Sequence, residues 1–559
     1  EYKMWGAFLF DVGIDASVDG PDITPFQLDE IRDEYQYDGR MYAVGENCAA
    51  EPIYPAEERN PLADPDPVGV RTVTLPVYEQ SKYLPREPIP LQFDVLAGNT
   101  SLSGDDLPTH VLEDLPEQVN GTDEIDLDDL LLILQNEMER AEGHYLDVGD
   151  DVLSDKSDEA ERRFEEAISS FRDERRRFEQ GRQLIRDEDR VREAFTLLNE
   201  TFIEMGDFPG WRLFQLVFIV MSIPDIVAQA DPDREVTNRL DTADVIYYPT
   251  GGGKTEAYLG LVTFTAFHDR LRGKEYGTTA LTKFPLRFLS LEQLQRAAEV
   301  LGHAELVRRE DGLDGDPFSV GYFVGKDNVP NKLMDERRYD RADRIQEAKD
   351  DPPEDQDHEF LILSECPFCG NESVEIDGDH ERARVDHVCT HSECPWVKLH
   401  DGKEPLPVYV TDREVYRHAP TFVVSTIDKI SIVGMQRRFR TLLGHIEARC
   451  PHHGFTGEED CLVDDYDYPS KHTCDNEDLV EVDSVDPPSL IIQDELHLLR
   501  EEFGSFDSHY ETLLQTLAEE FGDGWQMKVV AATATIKGAE RQVEALYRRE
   551  HNTFPAQGP

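Results

Sequence analysis

Three consecutive glycines, Gly251, Gly252 and Gly253, stand directly before Lys254 and Thr255. An apolar, strand-like run (VIYY) precedes them and a helical pattern (TEAYLGLVTFTAF) follows. Residues without a Cβ let backbone N–H groups close on an anion, and the next helix turns its positive end to the same point. The pattern predicts a phosphate-binding loop. Thr250 and the three glycines would wrap the phosphates, Lys254 would reach the outer ones, and the Thr255 hydroxyl would meet Mg²⁺. The long phosphate-loop pattern, with a glycine six residues before the lysine, is not met, so the loop has the shorter form P-T-G-G-G-K-T beginning at Pro249.

Such a loop needs carboxylates from another strand. SLIIQDELHLL supplies them: four strand-like residues, then Asp494 and Glu495, with His497 completing a D-E-x-H box. Asp494 is expected to hold Mg²⁺ through its water shell, and Glu495 to orient and polarise an attacking water, since phosphoryl transfer is mainly positioning and charge stabilisation. With Lys254 these are the catalytic candidates. Gln215, in FPGWRLFQLVFIV, is either a reader of the adenine edge or a polar residue on an amphipathic helix. Arg287 and Gln293, in LTKFPLRFLSLEQLQRA, and Thr426 and Lys429, in FVVSTIDKI, are candidates for nucleic-acid backbone contacts. Thr533 and Thr535, in VVAATAT, would couple the nucleotide site to the nucleic-acid path. Arg437, Arg438 and Arg440 form a basic patch that either touches nucleic acid or pairs with neighbouring acids.

Of eight cysteines, seven lie between 366 and 474. Cys366-x2-Cys369 and Cys389-x4-Cys394 are two thiolate pairs at zinc-ribbon spacing, a closed four-sulfur set with no open position for water. A redox pair at Cys366 and Cys369 is the alternative, and the second pair argues against it. Cys450, His453, Cys461 and Cys474 form a second candidate zinc set, with His452 and His472 as spare ligands. Reduced structural cysteines are the competing reading there. Cys48 stands alone and reads as a core residue.

The elements that must carry these groups alternate along the chain. DVIYYPT, YGTTALTKFP, SVGYFVG, TFVVST, SLIIQDE and KVVAATAT are short runs rich in Val, Ile, Tyr or Thr, several separated by helical patterns. They predict an α/β fold with a mostly parallel sheet. The expected organisation is a β-rich or α+β region over 1–120, an acidic helical hairpin over 121–204, a phosphate-loop lobe over 205–354, 411–447 and 483–559, a zinc-ribbon insertion over 355–410, and a second Cys/His insertion over 448–482. The longest apolar run, LVFIVMSIP, reads as too short for a bilayer and as broken by Pro224 and Asp225. A membrane is therefore not expected, and the reading is cytoplasmic. Against 56 Lys and Arg stand 117 Asp and Glu, for a net charge of −61. Acid spread so evenly suggests a proteome adapted to molar salt, where the Debye length falls to about 3 Å. The chain begins inside an apolar run, which reads as a piece of a longer protein.

Together FPGWRLFQLVFI, YYPTGGGKTEAYLGL, FPLRFLSLEQLQRA, VVSTIDKI, IIQDELHLL and AATATI resemble the helicase-like DrmA subunits of DISARM anti-phage defence systems. The resemblance covers roughly residues 205–550. It implies a superfamily 2 helicase architecture with a RecA-like lobe, use of ATP with Mg²⁺, DNA (single-stranded or duplex) as partner, and action beside other defence subunits. It places functional roles on Lys254, Thr255, Asp494, Glu495, Thr533 and Thr535. Nothing after residue 535 resembles a second RecA-like lobe with its paired arginines. The competing expectation is a non-motor, nucleotide-binding scaffold whose zinc modules bind partner subunits or nucleic acid.

Overall fold

The computed structural model describes backbone for scattered strand residues between 15 and 73. It describes side chains for most of 93–100, 126–207, 210–248, 252–325, 361–456 and 479–556, with short gaps. The chain forms two compact units, one of residues 1–88, 133–176 and 556–559, the other of 89–132 and 177–555.

In the first unit Gly69–Val73 pairs antiparallel with both Asp15–Ser17 and Ala49–Ile53. Two long helices, α1 (Leu127–Leu153) and α2 (Asp158–Asp187), contribute residues 133–153 and 158–176 to this unit. Within this unit Tyr145 sets its ring edge-on to Phe171 at 6.2 Å. Glu142 accepts from Arg175 at 3.0 Å and also from Arg172. The charged segment holds a third helix, α3 (Asp189–Met205), because the backbone turns extended at Glu188 (φ −126°, ψ 113°). It stops at Gly206, whose left-handed φ of 73° suits a residue without Cβ.

The second unit is built on one eight-stranded sheet. Its strands are β1 (Thr242–Tyr247), β2 (Ala280–Phe284), β3 (Val320–Phe323), β4 (Val408–Tyr409), β5 (Phe422–Thr426), β6 (Leu490–Gln493), β7 (Lys528–Thr533) and β8 (Glu550–Phe554). The order is β4-β3-β5-β2-β6-β7-β1-β8, and every pairing is parallel. The fold is therefore α/β with a large parallel sheet, as expected. Helices cover it: α4 (Leu213–Ala230), α5 (Lys254–Leu271), α6 (Arg287–Glu310), α7 (Asp412–His418), α8 (Glu501–Phe521) and α9 (Ala539–Tyr547). Burial on both faces explains why strands such as β6 read as continuous apolar runs.

One expectation needs correction. Pro224 and Asp225 do not break the apolar run, since α4 continues through both. This helix is long and apolar enough by length and composition to cross a membrane, but 89% of it is buried inside the molecule. Proline at 224 deprives the Val220 carbonyl of its usual donor. Gly181 packs against that carbonyl so closely that a Cβ there would sit 1.9 Å from it. Asp225 is tolerated because it is paired: its Oδ2 lies 3.1 Å from Arg177 and 2.8 Å from Lys528. Asp244 of β1 joins them, accepting from Arg177 at 2.8 and 2.6 Å and from Asn552 at 2.8 Å, with Lys528 at 2.9 Å. Burial pushes the Asp244 carboxyl up, but Arg177 and Lys528 together hold it well below the ordinary carboxylate range.

Candidate nucleotide site and metal centres

β1 delivers the chain into the glycine loop, and α5 begins at Lys254. Gly253 caps that helix with φ 92°, a conformation side chains rarely adopt. A Cβ there would also lie 2.5 Å from Gln215 Nε2. Gln215, at the start of α4, is buried and spans two loops: its Nε2 donates to the Gly253 carbonyl at 2.8 Å and its Oε1 accepts from the Arg212 N–H at 2.8 Å. Arg212 in turn donates to the Gly252 carbonyl at 2.5 Å. Phe214 stacks on Tyr248 with centroids 4.0 Å apart. The entrance of α4 is thus laced to the glycine loop.

The Lys254 ammonium donates to the Tyr248 carbonyl at 2.8 Å. Burial lowers its pKa, while Asp494 and Glu495 pull it back up. Asp494 follows β6, two strands from β1 in the sheet. Its Oδ2 accepts from the Tyr258 hydroxyl at 3.0 Å and its Oδ1 from the Glu495 N–H at 2.8 Å. Burial raises the Asp494 pKa. Glu495 holds left-handed backbone (φ 50°, ψ 46°), uncommon for a residue with a Cβ and a form of local strain that clusters at functional sites. His497 Nδ1 lies 3.1 Å from Glu495 Oε2 and 3.2 Å from Thr533 Oγ1. One imidazole therefore joins the carboxylate box after β6 to the end of β7.

The ribbon cysteines converge on a hairpin, Val374–Asp379 with Arg384–Cys389, which pairs across all six positions. Cys366 Sγ is 3.8 Å from Cys394 Sγ, and Cys369 Sγ is 3.8 Å from Cys389 Sγ. A tetrahedral ion with Zn–S bonds of about 2.3 Å requires sulfur separations of about 3.8 Å. The donor set fits zinc and leaves no open position. In the second cluster Cys450 Sγ and Cys461 Sγ lie 3.4 and 3.5 Å from His453 Nδ1. These spacings suit two sulfurs and a nitrogen on one ion. Cys474 and His472 fall outside the described residues, and His452 points away, exposed.

Over 367 residues the chain is 34% identical to "DISARM protein DrmA" of Bacillus paralicheniformis, covering 62% of this chain. The two chains are homologous. The matched stretch spans 31% of that relative's length, about a third. No protein-family model matches. Solved structures with loose likeness include the DUF1998 helicase MrfA bound to DNA and AMPPNP (12% identity, 65% of this chain and 29% of that one, TM-score 0.31). Another is Mss116p bound to ssRNA and AMP-PNP (11% identity, 64% and 42%, TM-score 0.30).

Of the predicted nucleotide-site residues, the structure brings together Gln215, Gly252, Gly253, Lys254, Thr255, Asp494 and Glu495. Thr250, Gly251 and Thr535 lie outside the described residues, as do Cys48 and the side chain of Arg287. The nucleic-acid candidates divide differently. Gln293 is turned to the nucleotide site, 3.4 Å from the Tyr258 hydroxyl. Lys429 is not at an open surface: it is buried, 2.6 Å from Asp412 and over the Phe323 ring. Thr426 is buried at the end of β5, with no hydrogen-bond partner for its Oγ1 among protein atoms. Thr533 is fully buried and serves the link to His497. Arg437 is exposed, and Arg438 and Arg440 are half-buried.

Sequence reasoning missed three residues at the site. Tyr258 binds Asp494. Glu256 of α5 pairs with Arg296 of α6. Arg212 braces the glycine loop. Tyr258 carried a usable signal, since it lies four residues past Lys254 and so shares its helix face.

Proposed function

We propose that this chain is the nucleotide-binding part of an ATP-driven superfamily 2 DNA helicase or translocase, working in a DISARM-like anti-phage system beside other subunits. The observation that supports it most is the facing of Lys254, at the start of α5, by Asp494 and Glu495 after β6, within one parallel sheet. Lys254 and the loop amides hold the β- and γ-phosphates. Thr255 and Asp494 would hold the accompanying Mg²⁺, which would neutralise phosphate charge. Glu495 orients the attacking water, and His497 passes the state of that carboxylate to Thr533. Gln215, braced against Gly253, would meet the adenine edge.

Zinc held by Cys366, Cys369, Cys389 and Cys394 has a structural role only, because four thiolates fill its coordination sphere. Cys450, His453 and Cys461 would hold a second ion. Net charge of −61 opposes DNA binding, so contacts come from backbone amides, hydroxyls and a few arginines such as Arg287. The protein works in the cytoplasm of a cell with high internal salt.

Equilibrium binding of a fluorescent ATP analogue tests this reading. Lys254→Ala should weaken binding at least tenfold, while Glu495→Gln should leave binding intact and abolish DNA-stimulated hydrolysis by the longer protein. Binding indifferent to Lys254→Ala would refute it.

A further inference from the structure

Tyr258 has no part in the reading above, yet its hydroxyl lies among the groups that reading uses. The ring is almost fully buried, so a phenylalanine would fill the same space. What packing does not require is the oxygen. That oxygen is 3.0 Å from Asp494 Oδ2 and 3.4 Å from Gln293 Oε1, and Thr255 precedes it by three residues on the same helix. Thr255 and Asp494 are the two residues to which the nucleotide reading gives Mg²⁺; Tyr258 binds the second and shares a helix turn with the first.

We propose that Tyr258 is a positioning residue for the divalent cation, an inference that rests on the nucleotide-site reading. A phenol has one proton. It goes to the carboxylate, since a charged acceptor makes the stronger bond. Gln293, with its amide turned so that N–H and not Oε1 faces the phenol oxygen, then donates to the same atom. Asp494 is thereby held on both oxygens by neutral donors, Tyr258 on Oδ2 and the Glu495 N–H on Oδ1. Each oxygen keeps a lone pair for the water shell of a cation. A buried carboxylate held only at Oδ1 would pivot about that bond.

The anchor is referenced to two helices. Tyr258 belongs to α5, which carries the phosphate loop, and Gln293 to α6. The Glu256–Arg296 pair holds the same two helices together one turn away. Displacing α6 would thus move Gln293 and loosen the carboxylate, whereas α5 moves Tyr258 and Thr255 as one body.

The test is binding of a mant-labelled ATP analogue to the 559-residue chain, with Mg²⁺ titrated and with EDTA as the metal-free reference. Losing one charge-assisted hydrogen bond at Asp494 should raise the Mg²⁺ concentration for half-maximal binding about tenfold in Tyr258→Phe. Affinity in EDTA should not change. Gln293→Leu should shift the same midpoint in the same direction by about threefold. A fall in affinity that is equal with and without Mg²⁺ would show a merely structural role and overturn the proposal. An unshifted Mg²⁺ midpoint in both variants, with normal binding by the unaltered chain and loss in Lys254→Ala, would overturn it while leaving the nucleotide reading standing. Absence of binding by the unaltered chain would overturn both.

Discussion

Replacing Asp244 by asparagine should destabilise the second unit by about 3–5 kcal/mol. The side chain keeps its shape and loses its charge. In the native cluster two cations, Arg177 and Lys528, face two anions, Asp225 and Asp244, and all four are nearly or fully buried. Contacts of 2.6 and 2.9 Å to Asp244 each carry roughly 6 kcal/mol of attraction at an effective dielectric of about 20. Desolvation has already consumed most of that in the intact cluster. The variant loses the attraction and keeps the desolvated cations, so the cost is that of one uncompensated buried charge. Denaturant unfolding followed by Trp525 and Trp211 fluorescence would measure it. The cost should persist in molar KCl, because ions do not reach buried pairs. Adding Lys528→Met should restore charge balance, and the double variant should be at least about 1 kcal/mol more stable than the sum of the single losses. A cost for Asp244→Asn below about 1 kcal/mol, or one that vanishes in high salt, would refute this account of the cluster.

Metal analysis should find at least one zinc per chain, and Cys366→Ser with Cys389→Ser should remove it, since each cysteine belongs to a different 3.8 Å pair. Retained metal would refute the four-sulfur assignment. Burial lowers the pKa of His268 from 6.5 to about 4. Its neutral form is the one that fits the fold, so its contribution is intact above pH 6.5 and lost as pH falls towards 4. That amounts to about 3 kcal/mol at the acid end, and His268→Gln should flatten the stability profile between those limits. Gly181→Ala should cost about 1–3 kcal/mol by overpacking, because the new methyl would meet the Val220 carbonyl. A neutral result in a thermal melt would show that α2 and α4 can part without penalty.

What could be read from the residues, and what could not, follows the range of the interaction. The phosphate loop, the D-E-x-H box and the ribbon cysteines each state their chemistry within a few positions, and strand-like runs around them were visible by composition. The order of strands in the sheet was not, because parallel neighbours such as β2 and β6 are some two hundred residues apart. A similar distance hid the Tyr258–Asp494 bond, and the Glu256–Arg296 pair joins two separate helices. Pro224 shows the opposite failure. A sound local rule predicts a break, but Gly181, from a helix far back in the chain, covers the carbonyl that proline leaves. Lys429 was misplaced for a similar reason: its partner Asp412 lies on a separate helix, and nothing local announces the pairing.

The strand order has a consequence for how the protein is made. β1, which carries the phosphate loop, has β7 and β8 as its two neighbours, and both come from residues 528–554. The ribosome therefore releases the loop strand almost three hundred residues before any strand that can flank it exists. Until then β1 and the apolar face of α4 stand open, a state that invites aggregation and calls for chaperones. On the proposed function, nucleotide could not reward folding early, because a nascent chain stalled before β7 would lack the strands that flank the glycine loop.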